Sequence, residues 1–170
     1  MPKTDKSLFS GNPRFSDAGA IRLVPEQGVE AAWRATLQGD LKQALQGVAG
    51  DFAVGVQLDG GRTILAVDRF AVRSLCYRQV DGQLQFAARA DDLGDAGAGI
   101  DPQAIFDYLY FHAIPSPRTL FEGVFRLPPG HYGLFENGQL TVASYWTPTF
   151  DEQPQPSFTA LKDEFRQLLL

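Results

Sequence analysis

Two dipeptides constrain the fold more than anything else in this chain: Asp81-Gly82 and Asn137-Gly138, each set between two short apolar runs. Both residues of such a pair tolerate positive φ, as the tightest two-residue hairpin requires. They predict hairpins joining 75–80 to 84–87 and 131–135 to 140–145. Two further apolar runs, 52–58 and 63–67, flank the turn Asp59-Gly60-Gly61. Hairpins this tight make a mostly antiparallel sheet.

Helical spacing occurs in four places. Between 28 and 37, Val29, Ala32, Trp33, Thr36 and Leu37 recur on one side, and Gly39 breaks the run. Asp40 caps a second short helix carrying Leu41, Ala44, Leu45 and Val48, which Gly47 and Gly50 end. Asp101-Pro102 opens a third with Ile105, Phe106, Leu109 and Tyr110. Ser157 opens the last, with Phe158, Leu161, Phe165 and Leu168. The first ten residues, apart from Leu8 and Phe9, read as polar and frayed, ahead of a turn at Gly11-Asn12-Pro13. Strands with helices before and between them predict a layered α+β core. The division expected is a domain over 1–147, a proline-containing linker over 148–156, and over 157–170 the start of a helix leading elsewhere.

Bulk properties narrow the function. At 170 residues the chain suits one domain, and 44% hydrophobic with 21% charged residues is a globular balance. The net charge is −5, with basic residues scattered singly, which argues against nucleic-acid binding. A single cysteine forms no internal disulfide and builds no Cys-rich zinc site, and it fits a reducing compartment. The charged start has no apolar core behind it, and no apolar run approaches the ~20 residues that span a bilayer. The expectation is a cytoplasmic protein with no nucleic-acid or membrane partner.

Generic signatures of chemistry are sparse. His112 and His131 stand in different segments without ligand-like neighbours, so no metal site is expected. The glycine-rich stretch 94–99 precedes Asp-Pro rather than joining a strand to a helix, and it reads as a loop, not a phosphate cradle. Cys76 lies inside a predicted strand with no histidine near it, the setting of a small buried side chain. Asp68-Arg69 closes a strand, where such a pair commonly forms a structural salt bridge.

Longer pieces carry a resemblance. Gly50-Asp51-Phe52-Ala53 is followed by the segment from Ala66 to Tyr77, containing Asp68-Arg69-Phe70-Ala71. Phe86-Ala87-Ala88-Arg89, Ile100-Asp101-Pro102-Gln103-Ala104-Ile105 and Pro115-Ser116-Pro117-Arg118-Thr119-Leu120-Phe121-Glu122-Gly123-Val124 come next. Leu127-Pro128-Pro129-Gly130-His131 and Tyr145-Trp146 close the series. In this order they resemble the N-terminal glutaminase-like domain of the asparagine synthetase family, with Ala71 where the family's Asp-x-x-Gly has glycine. The resemblance implies a four-layer αββα N-terminal-nucleophile hydrolase-like fold with two antiparallel sheets, lacking the first strands. It implies hydrolysis of glutamine, with ammonia passed to a synthetase domain that uses ATP and magnesium. That domain or subunit, or a second copy of this chain, is the implied partner; no cofactor is expected in this chain itself.

The residues depart from the family where its chemistry lies. The implied nucleophile is a cysteine following the initiator methionine; here that position is Pro2. The Asn-Gly-Glu oxyanion element is echoed only by Ser10-Gly11-Asn12. No catalytic residue is therefore assigned, and Gly11, Asp68 and Arg69 are substrate-binding candidates by resemblance alone. Three readings follow: the inactive scaffold of an amide-forming ligase, whether of the asparagine, β-lactam or lasso-peptide type; a free-standing interaction module; and an amidase using Asp68, Arg69 and His131.

Overall fold

The computed structural model describes residues 7–94, 98–150 and 157–169. Strands β1 (Ser7–Gly11) and β2 (Arg14–Phe15) lead into helices α1 (Ala18–Gln27), α2 (Val29–Thr36) and α3 (Leu41–Gln46). Then come β3 (Val48–Ala49), β4 (Phe52–Gln57), β5 (Thr63–Val67), β6 (Cys76–Val80) and β7 (Gln83–Ala87). Helix α4 (Pro102–Phe111), strands β8 (Phe125–Arg126), β9 (His131–Glu136) and β10 (Gln139–Ser144), and helix α5 (Phe158–Leu169) complete the described chain.

Five strands form one sheet in the order β1-β4-β5-β9-β10, and three form another in the order β7-β6-β8. Every pairing between the named strands is antiparallel, as the hairpin turns require. Asp81, Gly82, Asn137 and Gly138 all take positive φ, between 51° and 76°, in the turns their sequence predicts.

The residues of β4 from Phe52 to Val56 and the whole of β5 are buried. Strands of this kind need cover on both faces. On one face Phe52, Val54, Val56, Ile64 and Ala66 meet Trp33, Leu37, Leu41 and Leu45 from the α2–α3 region. On the other, Ala53, Leu65 and Val67 share a core with Leu75, Tyr77, Phe86 and Leu127 of the smaller sheet and its flanks. Gly55 is needed on that second face, because a Cβ there would run into the ring of Phe86. The architecture is thus a helical layer, a five-stranded sheet and a three-stranded sheet, the mixed antiparallel class expected. Helix α4 lies in the chain between β7 and β8 of the smaller sheet, with Ala104 as its buried residue.

Two readings of the N-terminal region change. Residues 7–11 are not frayed but form β1, whose neighbours Leu8 and Phe9 point into the two opposite cores. Helix α1 was not legible: Pro25 sits inside it and only Ala20 is buried, so its apolar stripe is weak. Asp17 starts it by accepting a hydrogen bond from the Ala20 N–H at 2.9 Å. The linker expected at 148–156 and the glycine-rich stretch at 94–99 lie largely or partly outside the described residues. Among the described residues no helix is long and apolar enough to cross a membrane.

Trp33 is fully buried, with the rings of Phe15 and Phe52 each 5.0 Å away. Trp33→Ala is expected to cost about 3–5 kcal/mol, the range for deleting a large core aromatic. Urea unfolding measures it; a loss under about 1 kcal/mol would show that the helical layer does not rest on this residue.

Candidate functional site

Four of the pieces that carry the resemblance, those holding Phe52, Asp68, Gly130 and Tyr145, meet at one end of the five-stranded sheet. Gly11, the last residue of β1, pairs with Phe52, the first of β4. The Asp68 N–H, just past β5, donates to the Phe52 carbonyl at 2.9 Å. The Gly130 N–H, just before β9, donates to the Asp68 carbonyl at 3.0 Å, and the Tyr145 N–H, just after β10, donates to the Gly130 carbonyl at 2.9 Å. Main chain thus links the row Gly11, Phe52, Asp68, Gly130 and Tyr145 across the whole sheet.

Asp68 is the centre of that row. The residue is 2% exposed, and its carboxylate accepts from four backbone amides: Phe52 (3.2 Å), Phe70 (3.0 Å), Val72 (3.1 Å) and Arg73 (3.1 Å). A buried carboxylate needs such donors, and two per oxygen fill its ordinary capacity. The expected salt bridge with Arg69 is not what holds it: the partners are main-chain N–H groups. Arg69 turns the other way, donating to the Gln46 carbonyl at 3.4 Å, with its guanidinium carbon 5.9 Å from the centre of the Trp146 ring. Gln46 also donates to the Tyr145 carbonyl at 3.1 Å, tying α3 to the same end of the sheet.

Gly11 takes part in a close crossing of two chains. Its φ is +93°, and a Cβ would collide with the Asp51 carbonyl oxygen. Gly50 mirrors it, with φ +89° and a Cβ that would collide with the Asn12 carbonyl oxygen. The Asn12 N–H donates to the Asp51 carbonyl at 2.7 Å, and the Asn12 side-chain amide to the Asp51 carboxylate at 3.3 Å. Arg73 donates to the other oxygen of that carboxylate at 2.8 Å, and this bond holds the Asp51 carboxyl below its ordinary pKa. Sequence reasoning missed Asn12, Gly50, Asp51 and Arg73 as a group; the signal available was the pair Gly11-Asn12 and Gly50-Asp51, each a glycine followed by a small polar residue.

The remaining candidates lie apart from one another. Cys76 begins β6, is 1% exposed, and burial pushes its thiol pKa up, the inert setting expected of it. His131 adjoins the row, but its Nδ1 lies 2.7 Å from the Pro129 carbonyl oxygen and no contact joins its ring to Asp68 or Arg69. His112 is exposed at the end of α4 with φ +56°. Among the described residues no three His, Cys, Asp or Glu side chains lie together as a metal would need.

Comparison with known proteins gives this arrangement its setting. Residues 33–146 match the family model described as a glutamine amidotransferase domain. The chain belongs to that family. This amidotransferase-family chain is 30% identical over 88 residues to the glutamine-hydrolyzing asparagine synthetase 1 of Bacillus subtilis (strain 168). The match takes in 50% of this chain and 14% of that protein, so the chain spans far less than the relative's length. Two solved structures align over 87% of the chain at 12% identity. They are the glutamine phosphoribosylpyrophosphate amidotransferase of B. subtilis complexed with ADP and GMP (TM-score 0.45, 32% of that chain) and the allosteric regulatory enzyme of purine biosynthesis (TM-score 0.48, 31%).

The geometry generates two expectations for this amidotransferase-family domain. Asp68→Ala strands the buried Phe52 amide, while the part-buried amides of Phe70, Val72 and Arg73 are open to water, so a loss of about 1–3 kcal/mol in urea unfolding is expected. A near-neutral result would mean water replaces the carboxylate. Ala71, in the loop those amides close, has φ +51°. A left-handed conformation costs an L-residue about 1–2 kcal/mol, partly offset by glycine's greater freedom when unfolded. Ala71→Gly is therefore expected to raise stability by about 0.5–1 kcal/mol, read as a higher urea midpoint.

Proposed function

We propose that this chain is the glutaminase-like domain of an asparagine-synthetase-type ATP-dependent amidotransferase, serving as a scaffold without hydrolysing glutamine. The carrying observation is that the groups left to do chemistry are already committed. The carboxylate of Asp68 is filled by backbone amides, and the single thiol, Cys76, is buried at the head of β6. Amide hydrolysis needs a nucleophile with a base beside it and donors for the developing oxyanion. Among the described residues, neither Asp68 nor Cys76 has a base and free oxyanion donors beside it in the way such a site needs. Substrate contact by Gly11, Asp68 or Arg69 remains part of the proposal, with Gly11 and Asp68 acting through the shape they give this end of the sheet.

Uncovered apolar surface favours a partner domain over a free-standing module. Ile105, Phe106, Leu109 and Tyr110 of α4 are 47–71% exposed. Phe158, Leu161, Phe165, Leu168 and Leu169 of α5 are 48–81% exposed. Contiguous faces of this kind mark contact sites, and a synthetase domain or subunit is the occupant this reading assigns them. ATP and magnesium belong to that partner, and no step here passes through them.

The test is incubation of the purified chain with glutamine and measurement of ammonia. No release above a no-protein control is expected. Release that scales with protein concentration would overturn the scaffold reading, and its survival in a Cys76→Ala variant would show that a group other than this thiol attacks.

A further inference from the structure

A half-open cleft of about 540 Å³ lies among the helices that cover the five-stranded sheet. Its walls are the first turns of α1, the end of α2, and α3. Phe15 and Val48, both buried, line its apolar part and share a core with Trp33. Side chains no larger than a methyl keep it open: Gly19 on α1, Ala35 on α2, Ala44 on α3 and Gly47 just past it. Volumes of this order are usual for small-molecule sites. Gly11, Asp68 and Arg69 are not among the lining residues, so the cleft is distinct from the row at the sheet end.

The charge of the lining has one sign. Asp17 and Asp40 line the cleft, and no lysine, arginine or histidine does. Both aspartates cap helices, each accepting from a backbone N–H through Oδ1: Asp17 from Ala20 at 2.9 Å, Asp40 from Gln43 at 2.8 Å. A cap needs an acceptor oxygen rather than a charge, and asparagine supplies one as well as aspartate does. The charge also meets the helix dipole, but that attraction is small at an exposed position and is screened by salt. The caps therefore leave each carboxylate its charge and its second oxygen for another partner.

We propose that this cleft binds a small organic cation, an amine carried on an apolar body. The body lies against Phe15 and Val48, and the ammonium group stays at the rim with the two carboxylates. The lining disfavours the opposite class. A carboxylate or phosphate entering here would meet two negative charges and no counter-charge, in a chain whose net charge is already −5. A neutral ligand of the same shape keeps the apolar contact and loses the ionic one. Asp17 and Asp40 are exposed, so the ionic contact is modest and the affinity expected is millimolar. The site is independent of the scaffold reading, because it uses none of the residues on which that reading rests.

Backbone-amide NMR of the full chain, titrated with phenethylamine, phenethyl alcohol and phenylpropionate, tests this. The three probes share an apolar body and differ in charge. Phenethylamine is expected to bind tightest, with shifts concentrated at Gly19, Ala44 and Gly47, and phenylpropionate weakest. Asp17→Asn and Asp40→Asn keep both caps. Each is expected to weaken amine binding about two- to fivefold and to leave alcohol binding unchanged. Ala35→Leu, at an exposed position, fills the cleft and is expected to remove amine and alcohol binding together. Ala44→Leu on α3 is the second filling variant. No shift with the amine at its highest soluble concentration would overturn the proposal, as would shifts confined to other residues. So would equal binding of amine and acid, amine binding unchanged in the double aspartate variant, or binding that survives both filling variants.

Discussion

Two strands without a polar face set the terms for everything else in this molecule. Strands β4 and β5 bury nearly every side chain they have, so neither face of the sheet can be left to water. One face requires the helical layer of α2 and α3 with Trp33 at its centre, and the other requires a second sheet with Phe86 pressed against Gly55. Once both covers are in place, side chains on the central strands are unavailable for chemistry. Whatever this domain does must happen at the ends of its strands or on its outer helices.

The end where four of the resembling segments meet is held mainly by main chain. Gly11, Phe52, Asp68, Gly130 and Tyr145 connect through backbone groups, and the one buried carboxylate among them binds amides rather than a cation. Hydrogen bonds to an ionised acceptor are among the stronger ones available. The side chains that surround this end, such as Asn12, Asp51 and Arg73, pair with one another in partial contact with solvent, where ion pairs contribute little. The division of labour is consistent with an end of the sheet kept for its shape.

What the sequence disclosed follows the range of the interactions involved. The hairpins at Asp81-Gly82 and Asn137-Gly138 were legible because a two-residue turn is dictated by its own residues. The caps at Asp40 and Asp101 were legible for the same reason. The α1 helix was hidden by Pro25 and by a single buried alanine, and β1 was hidden because its two apolar residues serve opposite cores. The partners of Asp68 could not be read at all: an amide donor has no letter in the sequence, so the adjacent Arg69 looked like the natural counter-ion. The crossing of Gly11 over Gly50 is likewise tertiary, brought about by two segments that the chain order separates by three helices.

The buried carboxylate has a consequence for how the sheet assembles. Strands that are apolar throughout can slide past one another by two residues and still bury apolar groups, so hydrophobicity alone tolerates a misaligned sheet. Asp68 does not tolerate it. A slip that drew Asp68 inward would carry its charge away from the amide of Phe52, the one donor that β4 supplies. A single side chain thereby proofreads the pairing of β4 with β5, turning an error that the core would forgive into one that the fold rejects.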